Sequence, residues 1–294
     1  MQALQGSLVA LVTPLDQSGQ VDYASLKNLI DWHISHGTNG IVSVGTTGES
    51  ATLNINEHIN VIDYTVRHVN KRVPVIAGTG ANSTEEAIEL SLESQLKGAD
   101  YVLLVTPYYN KPNQKGLIAH YESIANKVDI KQLLYNVPSR TACDLLPESV
   151  DILSKHPNII GIKEAVNDKS RVLELIRLSK NNNFLIFSGD DSSFMSSMKL
   201  GFDGVISVAA NIIPNSISKI CELIKIEEYE DASSLNDLYM HLYELLFVES
   251  NPIPVKWMMA QMGLIQNSIR LPLIDLDETY HDAVLSELNK LKLL

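Results

Sequence analysis

Short runs of β-branched and other apolar residues alternate with longer amphipathic stretches through the first three quarters of the 294-residue chain. The apolar runs occupy residues 7–12, 40–44, 73–77, 101–105, 132–135, 159–163, 184–188 and 204–208. Their length and their polar or glycine boundaries predict buried strands. Residues 22–36, 56–70, 84–97, 115–127 and 168–180 lie between them. These carry apolar positions at helical spacing and are long enough to cross over between parallel strands. Eight βα units predict an α/β chain folded as a (β/α)8 TIM barrel. The rival is a doubly wound open sheet, which usually has fewer units and a glycine-rich turn after its first strand. Here Thr13-Pro14-Leu15 follows instead.

Beyond about residue 226 the alternation stops. Residues 230–247, 253–262 and 280–292 read as helices, with Pro252 and Pro254 marking the break between the first two. The predicted division is therefore a barrel over residues 1–225 and a C-terminal helical region over 226–294 that packs on it.

Composition narrows the function. The chain is 45% hydrophobic and 20% charged, as expected of a globular domain. Its formal net charge of −12, without a basic run interleaved with aromatics, argues against nucleic acid or an anionic membrane as partner. Cys143 and Cys221 have no CxxC spacing, so neither a zinc ribbon nor a disulfide framework is indicated and a reducing cytoplasm fits. The first residues lack a basic segment followed by an apolar one, and no apolar run approaches the roughly 20 residues that span a bilayer. A soluble, unexported, cytoplasmic protein is expected.

In a barrel, chemistry gathers where strands give way to βα loops. There the chain places Thr13, Gly45-Thr46-Thr47-Gly48-Glu49-Ser50, Gly78-Thr79-Gly80, Thr106-Pro107-Tyr108-Tyr109, Tyr135 with Arg140, Lys163, Ser188-Gly189-Asp190-Asp191 and Ser207. Lys163 ends an apolar run, and burial lowers an amine's pKa toward the range in which it attacks a carbonyl. Tyr135 can exchange a proton beside it, and Thr46 and Tyr109 can extend a hydroxyl relay. The glycines and threonines of residues 45–48 can hold a carboxylate or phosphate, but the loop lacks the ending of a Walker motif. Arg140 has the fork that binds a carboxylate. Each residue alone has a plainer reading: a lysine snorkelling to water, a tyrosine packed inside, a tight turn, a surface arginine. Asp190-Asp191 and the helical pair His33 and His36 lack a third ligand, so no metal is expected.

Taken together, Gly45-Thr-Thr-Gly-Glu-Ser50, Tyr135-Asn-Val-Pro-Ser-Arg-Thr141 and Gly161-Ile-Lys-Glu-Ala165 stand in an order that resembles the dihydrodipicolinate synthase family. That family belongs to the pyruvate-dependent class I aldolases and lyases, which include N-acetylneuraminate lyase. The resemblance runs from Gly6 to the C-terminus, with Val248-Glu249 and Asn251-Pro-Ile-Pro-Val-Lys-Trp257 adding to it. It implies that Lys163 forms a Schiff base with pyruvate and that Tyr135, Thr46 and Tyr109 relay protons, Tyr109 across a subunit contact. It implies further that Thr47 holds the pyruvate carboxylate and Arg140 that of L-aspartate-4-semialdehyde. Main-chain carbonyls at Gly189 and Ile206 would orient substrate. The implied assembly is a homotetramer of tight dimers, and neither an organic cofactor nor a metal is required.

In family members inhibited by L-lysine, the inhibitor site implied by the resemblance maps to Ser50, Ala51, His58, Asn82, Glu86 and Tyr108. Ile55 departs from it, standing where inhibited members often have a histidine, so inhibition present but weakened is expected. Glu86 has a second reading, as the capping-box glutamate of Ser83-Thr84-Glu85-Glu86. Three functions remain in play: the synthase, a related sialic acid or sugar-acid lyase, and a non-catalytic ligand-binding barrel. Arg140 in its Pro-Ser-Arg-Thr context favours the first, and the intact lysine, tyrosine and Thr-Thr loop disfavour the last.

Overall fold

The structure, a computed structural model, describes residues 4–294. Eight parallel strands follow one another around a closed barrel: β1 (Gly6–Ala10), β2 (Gly40–Ser43), β3 (Val75–Gly78), β4 (Tyr101–Val105), β5 (Lys131–Asn136), β6 (Ile159–Glu164), β7 (Leu185–Ser188) and β8 (Gly204–Ser207). Closure is made by β1 against β8, with Leu8 opposite Ile206. Asn211 locks the seam from above, donating from Nδ2 to the Ala10 carbonyl and accepting from the Val12 amide.

Successive side chains of a strand point to opposite faces, so each strand serves two cores. Leu8, Ala10, Val42, Ile76, Leu103, Leu133, Tyr135, Phe187 and Ile206 form the barrel interior. Val9, Ile41, Val75, Val102, Leu104, Leu134, Ile162, Ile186 and Val205 pack outward under the helices. Burial on both faces accounts for the near-continuous apolar runs in the sequence. Each fully buried aliphatic side chain contributes about 1.5–3 kcal/mol.

The helices around the barrel are α1 (Tyr23–Ser35), α2 (Ile55–Val69), α3 (Thr84–Leu96), α4 (Gln114–Lys127), the short α5 (Pro138–Thr141), α6 (Pro147–Leu153), α7 (Lys169–Asn182), α8 (Phe194–Leu200) and α9 (Pro214–Lys225). Polar residues cap several N-termini: Asp22, Asn54, Ser83, Asn113 and Asp168 each accept from backbone amides one turn on. Such a cap is worth about 1 kcal/mol and fixes where the preceding loop must end.

The appended helices are α10 (Tyr229–Asp237), α11 (Met240–Leu245), α12 (Ile253–Gln261) and α13 (His281–Lys290). The single helix expected over 230–247 is thus two. The Tyr239 amide bonds the Asn236 carbonyl with a three-residue step, and its phenol meets the Ser216 hydroxyl on α9. The break thus coincides with a contact between Tyr239 and the barrel's α9. No helix among the described residues is long and apolar enough to cross a membrane.

Candidate active site

The carboxyl ends of the strands open into a cavity of about 590 Å³ lined by Thr46, Thr47, Tyr135, Arg140, Lys163 and Gly189, among others. Strand register builds its centre. Tyr135 on β5 lies directly opposite Lys163 on β6, which in turn faces Phe187 on β7, and all three point into the barrel. The Lys163 ammonium stands 4.4 Å from the centroid of the Tyr135 ring.

Lys163 is only 5% exposed. Burial pulls its pKa down to about 8, partly opposed by the Asp191 carboxylate and reinforced by the Arg140 guanidinium. Asp191 is itself buried and held by the Ser207 hydroxyl and the amides of Val208 and Ala209. Burial raises the Tyr135 phenol, while Arg140 and the Thr46 hydroxyl draw it back. Gly189 makes room for the lysine stem: a Cβ there would lie 3.0 Å from Lys163 Cε and 3.2 Å from Cγ.

Thr47 is buried, its hydroxyl accepting from Asn251 Nδ2 at 3.0 Å. Arg140 stands exposed at the entrance and donates from Nη2 to the Asn251 carbonyl at 3.2 Å. The loop carrying both threonines is braced from below. Glu49, buried with a positive φ of 58°, pairs with Lys256 of α12, which also donates to the Thr13 carbonyl. The second Glu49 carboxylate oxygen accepts from the Arg270 amide.

On the outer face of β6, Glu164 sits back to back with Lys163. Asn136 donates to both of its oxygens, the Val166 amide to one, and Arg171 approaches at 3.5 Å. Burial nevertheless raises its pKa to about 7.

A second cavity of about 510 Å³ adjoins the first, lined by Ser50, Ala51, Ile55, His58, Glu86 and Tyr108 together with Arg140 and Asn251. His58 donates from Nε2 to the Gly78 carbonyl at 2.7 Å, leaving Nδ1 free to accept. Ser83 caps α3 by accepting from the Glu86 amide, so that half of the sequence's capping box forms. Glu86 itself lines this cavity, and burial, reinforced by the Glu86 charge, raises the facing Tyr108 phenol. Asn82 lies beside Tyr108, its amide bonding the phenol.

The strand-end residues Lys163, Tyr135, Thr46, Thr47, Arg140 and Gly189 thus converge. Ile206 has its side chain in the barrel interior, and Val208 stands at the cavity wall on that side. Tyr109 does not converge within one chain: it is 89% exposed, with φ of 74°. Sequence reasoning placed Asp191 and Glu49 at strand ends and Asn251 and Lys256 in a motif shared with the family, but gave none of the four a part in the site and did not pair Glu49 with Lys256.

A model of the dihydrodipicolinate synthetase family matches residues 3–291. The chain belongs to that family. Among members of the dihydrodipicolinate synthetase family, the 4-hydroxy-tetrahydrodipicolinate synthase of Pseudomonas aeruginosa is 54% identical over 280 residues, covering 95% of each chain. The chloride-inhibited dihydrodipicolinate synthase of Acinetobacter baumannii, solved in complex with pyruvate, superposes with a TM-score of 0.97 at 49% identity, covering 99% of this chain and 100% of that one. The Cyanidioschyzon merolae enzyme with lysine bound superposes at 0.95, with 36% identity and 99% of each chain covered.

Proposed function

We propose that the protein condenses pyruvate with L-aspartate-4-semialdehyde as a 4-hydroxy-tetrahydrodipicolinate synthase. The observation that carries this reading is a buried amine of lowered pKa, set in register beside a tyrosine, in a cavity that Thr47 and Arg140 also line. Lys163 attacks the keto carbon of pyruvate and water leaves, giving an iminium. Loss of a methyl proton then gives the enamine, whose carbon attacks the aldehyde, and the alkoxide takes up a proton. The substrate's own amine next displaces Lys163 from the former keto carbon and closes the ring. The iminium is the electron sink throughout.

Tyr135 and Thr46 move the protons at this centre, and Thr47 with its neighbouring amides holds the pyruvate carboxylate. Arg140 at the entrance holds the carboxylate of the semialdehyde, and the main-chain carbonyls of Gly189 and Ile206 orient substrate. Tyr109 completes the relay of a neighbouring subunit in a homotetramer built from tight dimers, which explains its outward position. The second cavity is the L-lysine inhibitor site, formed by Ser50, Ala51, His58, Asn82, Glu86 and Tyr108. The likeness to a lysine-bound relative supports this assignment.

Reduction with borohydride in the presence of pyruvate should add the mass of a reduced pyruvyl group to the wild type and not to Lys163→Ala. No adduct, or one that survives the substitution, refutes the Schiff base. Offering aspartate semialdehyde and N-acetylmannosamine separately then distinguishes synthase from lyase: turnover of the sugar alone overturns the assignment.

A further inference from the structure

Asn251 lies at the break before α12, is buried, and lines both cavities. It touches both groups to which the preceding section assigns a substrate carboxylate. Its Nδ2 donates to the Thr47 hydroxyl, and its main-chain carbonyl accepts from Arg140. A threonine hydroxyl has one proton. Once its oxygen accepts from Asn251, that proton is left to donate into the cavity. Arginine has five N–H donors, so one spent on the Asn251 carbonyl orients the guanidinium and leaves the others for a ligand.

We propose that Asn251 is a positioning residue for both carboxylate anchors, its side chain setting Thr47 to donate to pyruvate and its carbonyl tethering Arg140 for the second substrate. The proposal rests on the Schiff-base reading above and adds a division of labour within one residue. The side chain serves the first substrate and the backbone serves the second. Asn251 Oδ1 is buried without a partner among the described residues. Truncating the side chain therefore breaks one protein hydrogen bond, to Thr47, and leaves the Arg140 tether in place.

The test combines borohydride trapping over a range of pyruvate concentrations with steady-state kinetics in the second substrate. Asn251→Ala should still trap fully at saturating pyruvate, with half-saturation raised about tenfold. Its KM for the semialdehyde should move by less than about twofold. Asn251→Asp, which presents only acceptors to Thr47 and so claims its proton, should weaken pyruvate further than alanine does. Thr47→Val, made on a separate element, should match Asn251→Ala, and the double variant should bind pyruvate no more weakly than Thr47→Val.

A pyruvate half-saturation within about twofold of wild type in Asn251→Ala, or additive effects in the double variant, overturns the proposal. So does equal weakening of both substrates, which marks a merely structural role. Absence of an adduct in the wild type is a different result: it removes the Schiff base itself.

Discussion

Glu49 and Lys256, 207 positions apart in the chain, meet as an ion pair closed to solvent, the carboxylate from the loop after β2 and the amine from α12. The pair holds the threonine loop to the appended helices. Burial lowers the Lys256 pKa against the pull of Glu49, so desolvation outweighs attraction for that amine. Removing one partner strands the other. Lys256→Met should therefore cost about 3–5 kcal/mol in urea unfolding, with much of it restored in Glu49→Gln/Lys256→Met. A loss of less than about 1 kcal/mol in the single variant would show that the pair is not what braces the loop.

The lowered pKa of Lys163 sets a pH limb. With a pKa of about 8, about one amine in ten is neutral at pH 7, against about one in three thousand for an unperturbed amine. The rate of Schiff-base formation with pyruvate should rise about tenfold per pH unit below 8 and level off above it. Stopped-flow trapping reads this directly, and a limb centred near 10 would remove the case for burial as the cause.

The same burial carries a cost in stability. Lys163 binds fewer protons folded than unfolded between pH 8 and 10.5, so its contribution to stability rises with pH across that window and is unfavourable below it. Lys163→Met should abolish adduct formation and stabilise the fold at pH 7 by about 2 kcal/mol. Thermal unfolding that shows a loss instead would mean the ammonium is well solvated where it stands.

Glu164 works with the opposite sign. Its folded pKa of about 7 lies above the ordinary carboxyl value of 4.5, so the folded state binds the extra proton between them. Its stabilising contribution is full below pH 4.5 and is lost as pH rises through 7. Across that window the wild type should lose up to about 3 kcal/mol that Glu164→Gln does not lose. Parallel urea midpoints for the two proteins at pH 5 and pH 7.5 would contradict this.

Ile55, exposed at the rim of the second cavity, offers a lysine ligand no hydrogen bond. In an activity assay, Ile55→His should lower the L-lysine concentration for half-inhibition by about three- to tenfold. An unchanged or higher value would place the inhibitor elsewhere.

The barrel was legible because burial on both strand faces leaves apolar runs that no loop imitates, and all eight appear where residues 7–208 placed them. The convergence of Lys163, Tyr135, Thr47 and Arg140 was legible for a related reason: they end those runs or stand in the loops that follow them, and closure brings strand ends together. Asn251 and Lys256 were not. Their partners are more than 200 positions away, and only the docking of α12 reveals which polar groups meet. The break between α10 and α11 was hidden likewise, since no proline or glycine marks it and its Tyr239–Ser216 contact is visible only in the fold. Tyr109 shows a different limit, because its proposed role requires a second copy of the chain.

The opposition of Tyr135 and Lys163 across neighbouring strands is written into the backbone ladder rather than into any loop. Loops can lengthen, shorten or exchange their polar residues without parting the amine from the phenol. A lineage could thus redraw the rim of the cavity, and with it the molecules admitted, while inheriting the lysine–tyrosine pair unchanged.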